Sequence, residues 1–191
     1  DIVVYGATGF TGALVAEYLN DMHSDISWAI AGRSQTKLDK VKQQLIAPGL
    51  ATIVANSDSV EDMTRLAAQS RVVISTVGPY ARYGTTLLEA CASEGTHYCD
   101  LTGEPQWMAS VFERVSDTAK ISGARLIHCC GFDSIPSDLG VFVAQKIMMK
   151  KHGLYADSVS GRMGQFKGAV SGGTVASMLL AVEQGIRDPF V

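Results

Sequence analysis

The chain opens on an apolar run, Ile2-Val-Val-Tyr5, that passes into Gly6-Ala-Thr-Gly9-Phe-Thr-Gly12 and continues as Ala13-Leu-Val-Ala-Glu-Tyr-Leu19. A strand that enters a glycine-rich turn and leaves as an amphipathic helix suits the pyrophosphate of a dinucleotide. Gly6 permits the tight turn, Gly9 lets backbone N–H groups come close to phosphate, and Gly12 lets the helix lie against the strand. The helix N-terminus adds unpaired donors and a positive partial charge. Thr8, Phe10 and Thr11 fill the gaps between the glycines and belong to the same candidate cofactor-binding loop. The spacing is GxxGxxG, and a tight turn without ligand is the competing reading of these seven residues.

The second apolar run, Ser27-Trp-Ala-Ile-Ala31, ends in Gly32-Arg33-Ser34. A chain that takes NAD places an acidic residue near this point, about 20 residues past the glycines, for the ribose hydroxyls, whereas an Arg accommodates a 2′-phosphate. No Asp or Glu stands here. Arg33 and the Ser34 hydroxyl offer a charge-assisted and a neutral hydrogen bond to phosphate. The cofactor expected is NADP(H) rather than NAD(H), and the alternative is a solvated loop cation.

With 191 residues, 47% hydrophobic and 18% charged, the chain is globular and long enough to bury a sizeable core. A net charge of −3 without a basic run gives nucleic acid no footing. No apolar stretch approaches the ~20 residues of a membrane span, and no secretory signal is expected. The chain begins within a strand and without Met, so a few preceding residues are expected. Cys91, Cys99, Cys129 and Cys130 show no CxxC spacing. Cys91 falls on a helix and the other three on strands, so all four read as small core residues, and no metal site is expected. A reducing cytoplasm is the corresponding location.

Strands and helices alternate. Helices are expected over Gln35–Ile46, Ser59–Gln69 (opened by Ser59 and Asp62), Gly84–Glu94 (closed by Gly95) and Pro105–Ser122 (closed by Gly123). Strands are expected over Ala51–Ala55, Arg71–Val77, His97–Leu101 and Ala124–Cys130. Such alternation predicts right-handed βαβ units and a doubly wound parallel sheet, of the Rossmann type, over residues 1–135. Beyond it come a helix over Ser137–Lys151 with Ser137 and Asp138 at its start, a strand over Ala156–Gln165, a glycine-rich turn at Gly168–Gly173 and a helix over Thr174–Gly185. Residues 136–191 read as the beginning of a second α/β domain that this chain does not complete.

In an open α/β sheet the ligand lies beyond the carboxyl ends of the strands. Those ends carry Ser75–Tyr80, Asp100–Glu104 and Gly131–Asp138. Val77, Gly78 and Pro79 would allow close passage of the nicotinamide ribose, with Tyr80 stacking or bonding nearby; an ordinary turn is the competing reading. Asp100 and Glu104 suit helix caps better than acid–base work. Asp133, after the last strand and before the change of domain, is the candidate catalytic residue. His128, inside a strand, reads as a satisfied core histidine. No Tyr-x-x-x-Lys pair is present, which argues against a short-chain carbonyl reductase.

The ordered segments GATGFTG, AGRS, STVGPYARYG, YCDLTGEP and CGFDSIPSDLG resemble the saccharopine dehydrogenase-like oxidoreductases, a family that includes mycobacterial trans-acting enoyl reductases; VSGGTVA at Val170–Ala176 resembles their second domain. The resemblance implies a Rossmann domain followed by a larger α/β domain, in a protein about twice this length. It also implies hydride transfer from NADP(H) to an enoyl-type, lipid-like acceptor, as in glycolipid biosynthesis. A homodimer through the second domain and peripheral contact with membrane or lipid droplet belong to the same expectation. The third strand ends in Asn56-Ser57, where relatives carry Asp at the first position; the amide of Asn56 can still bond an adenine amino group. The alternative function is a non-catalytic nucleotide-binding scaffold or redox sensor.

Overall fold

The structure, a computed structural model, describes residues 1–22, 25–165 and 172–187. Six strands form one parallel sheet: β1 (Ile2–Tyr5), β2 (Trp28–Gly32), β3 (Ala51–Val54), β4 (Val72–Ser75), β5 (His97–Asp100) and β6 (Leu126–Ile127). Their order is β3-β2-β1-β4-β5-β6. On β1, Val3 pairs with Ala29 of β2 on one side and Val73 of β4 on the other. The strand order therefore reverses beside β1, which puts the crevice of an open α/β sheet directly above the glycine turn.

Alternate residues of β1 feed opposite faces. Val4 joins Ile30 of β2 beneath α1 (Phe10–Met22) and α2 (Gln35–Gln44), where Ala16, Leu19 and Leu38 are buried. Val3 and Tyr5 join the other layer, under α3 (Val60–Ala68), α5 (Thr85–Glu94) and α6 (Pro105–Ser122), with Leu66, Leu88, Tyr98 and Val111. Helices cover both faces, as a doubly wound sheet requires.

Where a local signal fixes an element, sequence and structure agree. The Ser59 hydroxyl accepts from the N–H of Asp62 at 3.2 Å and caps α3. Pro105 opens α6, and left-handed glycines, Gly95 and Gly123, close α5 and α6. A one-turn helix, α4 (Tyr80–Tyr83), follows β4 where no helix was expected. β6 keeps only two residues of the expected seven, because Cys129 turns the backbone to φ 61°. Cys130 is consequently exposed and Cys129 only half-buried, so neither is the core strand cysteine expected of it; Cys91 is buried on α5.

The last third departs further. α7 (Ile135–His152) starts two residues before Ser137, with Pro136 in its first turn, so Ser137 is helical and not the cap. Residues 156–165 form no strand and are almost wholly exposed. Of the expected glycine turn, residues 168–171 lie outside the described residues, while Gly172 and Gly173 begin α8 (Gly172–Arg187). Among the described residues no helix is long and apolar enough to cross a membrane, and no group of His, Cys, Asp and Glu could hold a metal.

Candidate functional site

The carboxyl ends of β1, β2, β4 and β5 border a cavity of about 750 Å³, which residues of α8 also line. Gly6, Thr8, Gly9, Phe10 and Thr11 line one end, with Arg33 and Ser57 beyond them. Gly6 sits at φ +91°, and a Cβ there would meet the Val77 and Thr76 side chains at 2.6 and 2.7 Å. A Cβ on Gly12 would collide with the Gly6 carbonyl, so α1 can press onto the turn only because that residue is glycine. Gly12 is thus a packing residue and does not itself line the cavity.

Gly9 differs from expectation in one respect. Its own N–H donates to the Gly6 carbonyl at 2.9 Å and is used up within the turn. The donors left for an anion are those of the first turn of α1, on Phe10, Thr11 and Gly12, which by helix geometry have no partner in the helix. Gly9 faces the cavity, and a Cβ there would meet only the Gly6 carbonyl, at 3.3 Å. Bare backbone beside a helix N-terminus fits a pyrophosphate.

The Arg33 guanidinium is exposed on the β2 side of the cavity and forms no ion pair among the described residues. Ser34 stands at the start of α2 without a side-chain capping bond and, like Asn56, is not among the lining residues. Asn56 is engaged locally: its Oδ1 accepts from Asp58 N–H at 3.2 Å, and its N–H donates to Asp62 Oδ2 at 2.9 Å. Beneath Arg33, the Tyr5 hydroxyl donates to the Ala55 carbonyl at 3.5 Å, and burial raises its pKa.

At the β4–β5 end, Val77 and Gly78 reach the cavity, while Pro79 caps α4 and does not. Tyr80 is buried. Its hydroxyl donates to the Ser75 carbonyl at 3.0 Å and accepts from Leu101 N–H at 3.4 Å. Burial, reinforced by Asp100, pushes its pKa far above the ordinary tyrosine value, and with its hydroxyl engaged by Ser75 and Leu101 Tyr80 serves as a structural support. Its ring stacks on Trp107, centroids 5.5 Å apart at 27°, and Trp107 Nε1 donates to Thr85 Oγ1 at 2.9 Å.

Neither carboxylate of the Asp100–Glu104 segment caps α6. Asp100 is fully buried: its carboxylate accepts from the Tyr98 hydroxyl at 3.0 Å and from Thr102 N–H at 3.1 Å and Cys129 N–H at 3.2 Å. It also lies 2.7 Å from Nδ1 of His128, which stands just past β6 and is half-buried, so it is not the core strand histidine expected. Glu104 lines the cavity, as its place at a strand end predicts, but caps α4 instead of its own helix. Tyr80 N–H donates to its Oε1 and Ala81 N–H to its Oε2, both at 2.9 Å. Ser177 of α8 donates to Oε1 at 2.8 Å. Trp107, Leu101, Met178 and Leu180 give this end an apolar wall, and Asp133 stands exposed at its margin. The strand-end rule pointed at the Asp100–Glu104 loop, but nothing local in the sequence reports that Glu104 reaches α4 or that α8 covers it.

Residues 2–125 match the saccharopine dehydrogenase NADP-binding domain family. The chain belongs to that family. NADP(H) is accordingly the cofactor of the domain, and the exposed Arg33 at the end of β2, with no carboxylate beside it, is consistent with that. Across 99% of its length the chain is 41% identical to a Mycobacterium tuberculosis protein provisionally named a trans-acting enoyl reductase. It is 39% identical to the trans-acting enoyl reductase of Mycobacterium leprae. In both cases it spans 46% of the relative's length. Among solved structures it resembles apo saccharopine dehydrogenase (L-Glu forming) from Saccharomyces cerevisiae, at TM-score 0.58 and 17% identity, over 75% of this chain and 31% of that one. The structural likeness bears on the fold, which it supports as Rossmann-type.

Proposed function

We propose that the protein is an NADP-dependent oxidoreductase that reduces an enoyl-type, lipid-like acceptor, with residues 1–135 binding the cofactor and residues 136–191 beginning the domain that walls the acceptor. The observation that carries this reading is one continuous cavity that changes character along its length. It runs from the bare glycine turn, the open N–H groups that start α1 and the exposed Arg33 guanidinium to an apolar wall of Trp107, Leu101, Met178 and Leu180. The two mycobacterial relatives, both named for enoyl reduction, match over nearly the whole chain and support the reaction class. Bound NADPH would supply the hydride. The chain's own residues bind phosphate through the first turn of α1, take the 2′-phosphate through Arg33, exclude water with Trp107 and the α8 wall, and present the Asp133 carboxylate as the candidate catalytic group. Residues with exposed apolar side chains on α7 and α8 support a larger acceptor domain and a homodimer formed through it. A cytoplasmic location with peripheral contact to a lipid surface suits a lipid-like acceptor.

Titration with NADPH and NADH, on the wild-type protein and Arg33→Ala, tests the cofactor half. Losing a charge-assisted phosphate contact costs about 1.5–3 kcal/mol, or roughly ten- to a hundredfold in affinity. NADPH binding should weaken by that factor while NADH binding stays put. Equal NADPH affinity in the two proteins would remove Arg33 from the site. NADPH oxidation with crotonyl-CoA, by a polypeptide as long as the mycobacterial relatives, then tests the acceptor class; tight NADPH binding by that longer protein without turnover of any enoyl thioester would favour a nucleotide-binding scaffold.

A further inference from the structure

We infer that Glu104 is a positioning residue: its one carboxylate pins α8 to the start of α4 and so builds the nicotinamide end of the cavity. The inference rests on the cofactor reading above, but on different atoms. In the sheet order, the glycine turn tops β1 and Arg33 tops β2, which gives the phosphates and the adenosine to those strands. The nicotinamide half is left the β4–β5 side, where Gly78, α4 and the Leu101–Glu104 loop line the cavity. No local segment builds that end. It is made of pieces from residues 78–83, 101–107 and 172–180.

Glu104 is where the three pieces meet. Its Oε1 takes the Tyr80 N–H at 2.9 Å and the Ser177 hydroxyl at 2.8 Å, and its Oε2 takes the Ala81 N–H at 2.9 Å. Three donors on one carboxylate are charge-assisted bonds, stronger than their neutral counterparts. The carboxylate is itself held from behind. Asp100 Oδ1 accepts from Thr102 N–H at 3.1 Å, and Thr102 Oγ1 accepts from Glu104 N–H at 3.1 Å. A buried acid thereby fixes the loop that aims Glu104. Close by, a Cβ on Gly78 would lie 3.8 Å from Ser177 Oγ, which places the serine over the backbone the nicotinamide ribose has to pass. Tyr80 and Tyr83, both on the cavity, ride on the turn that Glu104 caps.

The chemistry predicts an asymmetry. Glu104→Gln keeps the shape but replaces an oxygen acceptor with an amide NH₂ that cannot accept from an N–H. Ser177→Ala removes only the α8 tie. Both variants and the wild type are titrated with NADPH and with 2′,5′-ADP, which carries the adenosine phosphates and no nicotinamide. Each variant should bind NADPH about three- to thirtyfold more weakly and 2′,5′-ADP as the wild type does, with Glu104→Gln the more affected. Glu104→Asp, too short to span both N–H groups and Ser177, should fall with Glu104→Gln. Equal losses for both ligands would mean a general loosening of the fold and would overturn the inference, as would unchanged NADPH binding in both variants. If wild-type protein binds 2′,5′-ADP and not NADPH, the nicotinamide end is not a cofactor site and the inference falls while the phosphate end stands. If it binds neither, the cofactor reading itself fails.

Discussion

Helices α6 and α7 are matched in almost everything local. Each is 18 residues long, each carries Pro in its first turn, and each ends at a left-handed glycine, Gly123 at φ 81° and Gly153 at φ 72°. They differ in where their apolar residues point. α6 buries Trp107, Val111, Val115 and Ala119, an i, i+4 stripe along one face, against the sheet and α5. α7 buries no residue at all, although Leu139, Val141, Phe142, Val143 and Ile147 are as apolar as anything in α6. Caps and propensity are enough to make a helix; burial needs a single apolar stripe and a surface to receive it. The apolar residues of α7 run round the helix, the pattern of a helix covered on more than one side, and this motivates assigning it to a second domain.

Trp107→Ala should break the α6 side most severely. The indole is 4% exposed, stacks on Tyr80, bonds Thr85 and meets the His128 ring edge-on at 5.1 Å. Truncating a buried aromatic of this kind costs about 3–5 kcal/mol. Urea unfolding followed by circular dichroism measures it, and a loss under about 1 kcal/mol would show that the α6 interface is not where stability lies.

The packed region should also set the alkaline limit of the fold. Burial pushes the Cys91 thiol up from 9.0 to about 12 and raises Tyr98 well above its ordinary value. A thiol whose pKa is raised on folding contributes stability that is fully present below pH 9 and is lost as pH climbs from there through about 12. Its share of the slope is roughly 1.4 kcal/mol per pH unit. Unfolding free energy measured between pH 8 and 11 should fall, and Cys91→Ala should flatten that fall by this amount. Parallel pH profiles for the two proteins would mean that the thiol titrates alike folded and unfolded.

The same contrast divides what the sequence shows from what it hides. The glycine turn, Arg33, the Ser59 cap and the ends of α6 were legible because each is decided within a few residues: a turn needing φ +91° at Gly6, a hydroxyl three residues from its N–H, a proline at one end and a glycine at the other. The expected strand over 156–165 was illegible for the opposite reason, since a strand exists only where another edge accepts it. Asp100 and Glu104 each read as a local cap, yet their partners are Tyr98, His128 and Cys129 for one and α4 and Ser177 for the other. The glycine-turn end of the cavity is thus a motif, and the β4–β5 end is an assembly.

The smallest expected effect is the sharpest test of the comparison between the two helices. Val111 on α6 is 1% exposed and Val143 on α7 is 52% exposed. Val and Ser have similar helix propensities, so Val→Ser at either position leaves the helix itself nearly untouched and reports on surroundings. Val111→Ser removes buried methyl groups and puts a hydroxyl among Leu88 and its neighbours, at a cost of about 2–4 kcal/mol. Val143→Ser in this chain meets solvent and should change unfolding free energy by less than about 0.5 kcal/mol. If the two cost the same, α7 is packed after all and the division near residue 135 is wrong. Repeating Val143→Ser in a polypeptide as long as the mycobacterial relatives carries the argument to its end. A second domain laid over α7 would bury that methyl pair and raise the cost toward the Val111 value; a cost that stays below about 0.5 kcal/mol would leave α7 an open surface in the longer protein as well.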